Sequence, residues 1–376
     1  MRFAVDAHAI GRNLTGNEVY VRSLLNAFAA ADPEADILAY VTGAKAAQSV
    51  PHRFATRQIA RNPFVRLGFD LPRKLREDRP ALLHVQYTAP LRCPVPTVVT
   101  VHDVSFLEHP EYFTWWRATQ LRITVARSVR QAARVITISD FARRTVVEAY
   151  GVSPDRIQVI PAAANPFFRI SNRARAVRRV EELTGLREPF VLTVGDLQPR
   201  KNHIRLIAAF ARFIVQNPHS RHHLVIAGKN TWFSDRIAEA VRHSGISHRI
   251  HLIGFVSDED LLELYNACDC FAFPSLYEGF GLPILEAMAC GRAVVCSNRA
   301  SIPEVAGEAG IPFNPADELA IAHALESVLL NPDRRARMER LGLHRAAQFT
   351  WRKAAEETLE LYRQVAGQPV RDHVTV

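Results

Sequence analysis

Short apolar runs rich in β-branched residues alternate with helical patterns along this chain, and the alternation restarts half-way. No other feature narrows the possible folds as far. In the first half, runs at 2–7, 37–41, 82–86, 97–101, 135–138 and 157–160 read as strands, with helical periodicity at 19–31 and 117–133 between them. Near-continuous apolar strands separated by helices are what a parallel sheet covered on both faces requires. The second half repeats the pattern, with strands at 190–194, 223–227, 251–253, 270–273 and 293–296 and a helix at 204–216. Helical patterns at 332–348 and 351–365 close the chain. The expected fold is α/β: two Rossmann-like, doubly wound domains facing a central cleft, with ligands at the C-terminal ends of the strands. The expected boundaries are 1–170, a linker at 171–187 with a helical piece, 188–350, and a C-terminal helix with a frayed tail at 351–376.

A length of 376 residues fits two domains, and 48% hydrophobic with 23% charged residues describes a globular protein. No apolar run reaches the ~20 residues a membrane span needs. Asp6 interrupts the N-terminal apolar run, which reads as a first strand and not as a signal peptide, so a cytoplasmic protein is expected. The five cysteines form no CxxC pair and read as reduced core residues. Charge is unevenly placed. Residues 1–170 hold 22 Lys+Arg against 14 Asp+Glu, so +8 of the net +9 belongs to the first half. Nucleic acid, an anionic membrane surface or an acidic small molecule could each answer that excess.

Two motifs carry most of the chemistry. The first is Glu278-Gly-Phe-Gly-Leu-Pro-Ile-Leu-Glu286. Gly279 and Gly281 make a bare-backbone loop before a helix expected to start at Pro283, a helix end suited to a phosphate or sugar oxygen. Glu278 and Glu286 flank that loop. Carboxylates do not bind phosphate, so sugar hydroxyls are their natural partners. The second motif, Val194-Gly-Asp-Leu-Gln-Pro-Arg200-Lys201-Asn202, follows the first strand of the second domain and opens a helix. Adjacent cations at a helix start oppose the macrodipole and call for an anion, which a diphosphate supplies. Weaker signals lie in the first domain: Thr15-Gly16-Asn17-Glu18 before a helix, and His102-Asp103 at a strand end. There is no GxGxxG and no P-loop. The lone acidic triplet, Asp258-Glu259-Asp260, follows Ser257 as a helix cap would, so no metal site is assigned.

The strings TVHDVSFLEHPEYF, VITISDFARRTVVEAYGV, IQVIPAAANPFF, VLTVGDLQPRKN and FPSLYEGFGLPILEAMACG together resemble family 4 of the glycosyltransferases, whose fold is GT-B. The resemblance runs in order from about Phe3 to Val365. It departs at Asn17, where a second glycine is common, and at Ala162–Ala163, where Asn-Gly is common. The resemblance implies a retaining transfer of a hexosyl group from a nucleotide-diphosphate sugar, with no cofactor and no metal. Glu278 would contact the donor hexose near its 3-hydroxyl, and Glu286 would hold the ribose. Phe280, Gly281 and Leu282 would supply backbone contacts, and Arg200 and Lys201 would neutralise the diphosphate. His102 would sit beside the reacting sugar, with Gly16 and Asn17 approaching the phosphates. Val256 is placed on the donor side, and Asp103 and Tyr87 on the acceptor side. The C-terminal helix would cross back onto the first domain.

Negative charge builds on the β-phosphate oxygen as the glycosidic bond breaks, and Arg200, Lys201 and the helix start are expected to stabilise it. With no carboxylate as an evident nucleophile, front-face attack is favoured over a glycosidase-like double displacement. The motifs lean toward GDP-mannose and a glycan or lipid-linked glycan acceptor. A UDP-sugar with a small soluble acceptor and a catalytically silent GT-B subunit are the alternatives. A nucleic-acid partner leaves the acidic loop without a role and is not expected. The basic first half includes Phe64, Leu67, Leu71 and Leu75 at helical spacing among Arg66, Arg73, Lys74 and Arg76, interrupted by Pro72, and the aromatic string Tyr112-Phe113-Thr114-Trp115-Trp116. Either this surface docks peripherally on the inner face of the membrane, or its apolar residues pack on the sheet beneath.

Overall fold

The computed structural model describes residues 1–12 and 15–367. The tail expected to fray therefore lies, from residue 368, outside the described residues, as do Asn13 and Leu14. The chain divides into two compact units, Met1–Ala162 with Thr350–Val376, and Ala163–Phe349.

In unit 1 the strands are β1 (Arg2–Asp6), β2 (Asp36–Val41), β3 (Ala55–Gln58), β4 (Leu83–Gln86), β5 (Thr97–Val101), β6 (Arg134–Thr137) and β7 (Ile157–Val159), ordered β3-β2-β1-β4-β5-β6-β7. In unit 2 they are β8 (Phe190–Val194), β9 (His223–Ala227), β10 (Ile250–Gly254), β11 (Cys270–Phe273), β12 (Val294–Ser297) and β13 (Gly310–Phe313), ordered β10-β9-β8-β11-β12-β13. The ladders are parallel, as the alternation with helices requires. β5 is buried at every position, which explains why it reads as an unbroken apolar run and not as an alternating one. Strand order reverses once in each sheet, between β1 and β4 and between β8 and β11. Those reversals open the crevices in which doubly wound sheets hold ligands.

One boundary differs from the sequence expectation, at the linker, whereas the C-terminal helix joins unit 1 as expected. The stretch expected to be a linker carries the helix Arg173–Thr184, which is anchored in unit 2. Arg173 pairs with the buried Asp269 at 2.5 Å, Arg175 with Glu263 at 2.6 Å, and Arg179 with Asp260 at 2.9 Å. Unit 2 accordingly begins at Ala163, ahead of that helix. The C-terminal helix Trp351–Ala366 belongs to unit 1. Its Tyr362, fully buried, packs edge-on against Phe3 and Phe28 and meets His84 Nδ1 at 2.5 Å. The 63–78 segment also runs on through Pro72. A wide turn at Arg66–Asp70, in which Leu71 N–H donates to Arg66 O, takes up the irregularity before the helix Leu71–Asp78.

Candidate functional site

The motifs collect at the two strand-order reversals. In unit 2, β8 leads into a tight turn, Pro199–Lys201, and then to Asn202 in left-handed backbone (φ 59°), which starts the helix His203–Gln216. Asparagine tolerates that conformation better than other side chains. Its Nδ2 donates to the carbonyls of Pro274 (3.1 Å) and Pro315 (2.8 Å), while Leu276 N–H donates to Arg200 O at 2.8 Å. The loops after β8 and β11 are thus stitched together. The loop after β9 presses equally close: a Cβ on Gly228 would lie 1.9 Å from Gly195 O, so only glycine fits.

Glu278 sits at the centre. Its Oε2 accepts from Arg200 Nη1 at 2.8 Å and its Oε1 from Lys201 Nζ at 2.6 Å. Glu278 and Lys201 are both buried, and Lys201 Nζ also lies 5.1 Å from the Phe273 ring centroid. Burial pushes the Glu278 carboxyl up, but Arg200 and Lys201 outweigh it and hold it down at about 2. Burial and Arg200 together depress the Lys201 ammonium, against the opposing pull of Glu278 and Asp196. The Ser301 hydroxyl lies 2.8 Å from Glu278 O and 3.0 Å from Phe280 O, fixing the carbonyls of the glycine loop. Gly281 (φ 110°) then caps the helix Leu282–Ala289. Glu286, one turn into that helix, accepts from Tyr265 Oη at 3.0 Å. Burial, with Asp258 adding to it, raises its carboxyl to about 7 despite the Tyr265 hydrogen bond.

In unit 1, His102 follows β5 and is buried, which pushes its imidazole down to about 4. Its Nε2 lies 2.8 Å from Gln86 Oε1, and Gln86 Nε2 donates to Asn17 O at 3.1 Å. The amide therefore orients the ring: Gln86 Oε1 can only accept, so Nε2 carries the proton and Nδ1 is the acceptor. Tyr20 and Tyr87 stand edge-on to His102, with centroids at 4.7 and 5.5 Å, and Tyr87 holds left-handed backbone (φ 60°). At the end of β1, the buried Asp6 accepts from His8 N–H at 3.1 Å, and its Oδ2 lies 3.9 Å from Nε of the buried Arg66.

Comparison with known proteins fits this arrangement. The family model described as "Glycosyltransferase Family 4" matches residues 14–166, and "Glycosyl transferases group 1" matches 175–345. The O-antigen chain mannosyltransferase B of Escherichia coli is 34% identical over 267 residues, covering 71% of this chain and 70% of that protein. The chain belongs to glycosyltransferase family 4. It is a retaining hexosyltransferase that draws on a nucleotide-sugar donor. A serotype-specific mannosyltransferase, WbdA of E. coli, is 31% identical over 71% of this chain, which spans only 33% of that longer protein. Among solved structures, the sucrose-phosphate synthase of Thermosynechococcus elongatus superposes with a TM-score of 0.80 over 97% of this chain and 99% of that one, at 22% identity. The Anabaena HepE structure, in complex with UDP and glucose, gives 0.75 over 96% and 99%, at 20% identity. The fold is GT-B.

Not every residue expected in the glycosyltransferase's site has the expected surroundings. Arg200 and Lys201 precede the helix and do not ride on its first turn, and the anion that answers them here is Glu278. Pro283 is the second helical residue, and Glu286 stands in the second turn. The Phe280 ring is buried against Phe349 (centroids 5.8 Å), so only its backbone can face a ligand. Asp103 accepts from Ser105 N–H (2.9 Å) and Oγ–H (2.6 Å) and serves its own turn. Gly16 and Asn17 lie in the first turn of the helix Thr15–Ala31. Val256, half-buried, lies between β10 and the helix Asp258–Ala267, next to an exposed Phe255 whose ring centroid is 5.0 Å from Lys229 Nζ. Ser257 Oγ accepts from Asp260 N–H at 3.1 Å, the capping geometry expected of that acidic triplet. Sequence reasoning gave no role to Gln86, Tyr265, Ser301 or the Asp6–Arg66 pair, and none of its own to Asn202 within the second motif. For Asn202 a signal existed, since an asparagine directly before a helical pattern suits a positive-φ turn. The others are single polar residues without a local pattern.

Proposed function

We propose that this glycosyltransferase moves a mannosyl group from GDP-mannose to a growing glycan or lipid-linked glycan, with retention and without a metal ion. The observation that carries the reading is the buried Glu278 bridging Arg200 and Lys201 where the loops after β8 and β11 meet. Two cations against one carboxylate leave one positive charge to meet a diphosphate, at a crevice suited to nucleotides. As the C1–O bond to the β-phosphate breaks, the charge gathering on that oxygen meets Arg200 and Lys201, which are already oriented by Glu278. Glu278, ionised at any working pH, retains lone pairs to accept from sugar hydroxyls. Glu286 accepts from the ribose diol. The leaving phosphate takes the acceptor's proton as the new bond forms on the same face. The mannosyl lean draws support from relatives named as mannosyltransferases, one covered over 70% of its length.

The experiment is a thermal-shift panel of GDP, UDP and ADP without added metal, followed by turnover of GDP-mannose in EDTA. GDP should give the largest rise, by RT ln(1 + [L]/Kd). A larger rise with UDP overturns the donor assignment. Activity lost in EDTA and restored by Mg²⁺ or Mn²⁺ overturns the metal-free reading.

A further inference from the structure

We propose that unit 1 carries a docking surface for an anionic lipid bilayer, built from three segments that the fold brings side by side. The helical expectation for 63–79 resolves into two populations. Leu71 and Leu75 are buried in the core, while Phe64, Phe69, Leu91, Trp115, Trp116 and Ile123 stand in solvent, from 64% exposed at Ile123 to 79% at Phe69. The segment 87–96 joins the other two. Leu91 N–H donates to Leu67 O at 3.2 Å on one side. On the other, Ala89 N–H donates to Ser128 Oγ at 2.9 Å, Thr88 Oγ1 meets Thr124 Oγ1 at 3.2 Å, and Arg127 Nη2 donates to Pro90 O at 2.5 Å. Along the helix Trp115–Gln131, Trp116, Ile123 and Arg127 fall on one stripe, so the side that meets this loop also carries the exposed apolar residues.

Charge settles the kind of partner. The stretches 61–69, 87–96 and 112–131 hold seven arginines and no aspartate or glutamate. Arg61, Arg92, Arg117 and Arg122 are at exposed positions. Exposed aromatics rimmed by arginine, with acidic residues only at the margins (Asp70, paired with Lys74, and Glu111, beside His109), match the boundary between acyl chains and anionic headgroups, where Trp and Phe sit in the interface and cations meet phosphate. No helix among the described residues is long and apolar enough to cross a membrane, so the contact is peripheral. The surface also borders the acceptor end of unit 1. The loop that bears Leu91 begins at Tyr87, edge-on to His102, and the segment that bears Phe64 and Phe69 also carries Arg66, 3.9 Å from Asp6. Docking would bring that end of the sheet to the headgroup layer, where the glycan of a lipid-linked acceptor emerges.

The test is sedimentation with vesicles of phosphatidylglycerol and phosphatidylcholine against pure phosphatidylcholine, without donor or nucleotide. Binding is expected to the anionic vesicles only, and high salt should release the protein. The variant F69S/L91S/W115S/W116S, and separately R92E/R117E/R122E, should each lower the bound fraction by roughly tenfold or more. Both should keep the parent melting temperature and nucleotide-induced shift, so a failure of docking is distinguishable from a failure of the donor reading. No binding at low salt, equal binding to neutral vesicles, or binding that survives both variants overturns the proposal. So does a dimer of the parent, seen by light scattering and lost in the apolar variant, which would assign the patch to a second copy.

Discussion

At the scale of single residues, the proposed donor-side chemistry rests on an ion triad of the buried Glu278 and Lys201 with the half-buried Arg200. Removing Lys201 takes away one of the two cations proposed to meet the leaving phosphate and leaves Glu278 with Arg200 alone. Lys201→Ala and Arg200→Ala should each lower turnover by roughly 10²–10³. Lys201 is the more buried of the two, so its loss should also lower the melting temperature more than that of Arg200. Steady-state kinetics with thermal melts check both, and near-full activity in both variants would remove the diphosphate role. Glu286 adds a pH signature. In the proposed role its carboxyl, raised to about 7, accepts from the ribose diol as the carboxylate, so nucleotide affinity should fall as pH drops from 8 to 6. With about a tenth of the group ionised at pH 6, the loss approaches about tenfold. Titration calorimetry across that range should show the slope, and Glu286→Gln should flatten it. A wild-type affinity that is level with pH would separate Glu286 from the nucleotide. The two cations and two glutamates are legible in the sequence because they sit in motifs with a local logic. Their support is not, because it comes from residues far along the chain: Ser301 lies 21 residues beyond Phe280, and Asn202 lies 72 before Pro274.

Among the elements, legibility follows burial. β1, β2, β4 and β5 announce themselves as apolar runs because helices cover both faces of the sheet. β3 escapes notice because it is an edge strand, Ala-Thr-Arg-Gln, with no fully buried position. β13 escapes because Gly310 and Pro312 lower its strand signal, and the proline is tolerated because β13 too is an edge. The stripe at 63–79 shows the opposite failure: periodicity found the helix, but only contacts reveal that Leu71 and Leu75 face the core while Phe64 faces solvent. The C-terminal helix is held to the sheet by one polar anchor within an apolar face. His84 Nδ1 meets Tyr362 Oη at 2.5 Å, and His84 Nε2 meets Thr100 Oγ1 at 2.6 Å. Tyr362→Phe keeps the ring packing and removes only the hydroxyl, leaving a buried ring nitrogen without its partner. The expected cost is about 1–2 kcal/mol, read as a lower urea midpoint at unchanged slope. An unchanged midpoint would show that the anchor contributes nothing to holding the helix.

Over the whole molecule, the buried histidines set a direction for stability against pH. His84 is held down at about 3, His102 at about 4 and His203 at about 4, in each case chiefly because burial disfavours the charged ring. In the unfolded chain the same rings titrate near 6.5. Between those values the unfolded state binds more protons, so stability is fully present above pH 6.5 and is lost as pH falls toward 4. The stacked pair His223 and His251, also lowered, works in the same sense. Glu286 opposes them, since a raised carboxyl makes the folded state the better proton acceptor between 4.5 and about 7. One carboxyl against three fully buried rings does not reverse the sign. Each buried ring's loss approaches about 1.4 kcal/mol per pH unit once pH is well below its unfolded value. Melting temperature should therefore fall from pH 7.5 to pH 5.0, above the range where Asp6 and Glu278, both held near 2, come into play. His84→Asn should start from a lower melting temperature at pH 7.5 and lose less on acidification, because it removes one of the groups that protonates on unfolding. Equal melting temperatures at the two pH values, or an undiminished slope in His84→Asn, would show that the imidazoles are not held neutral by the fold.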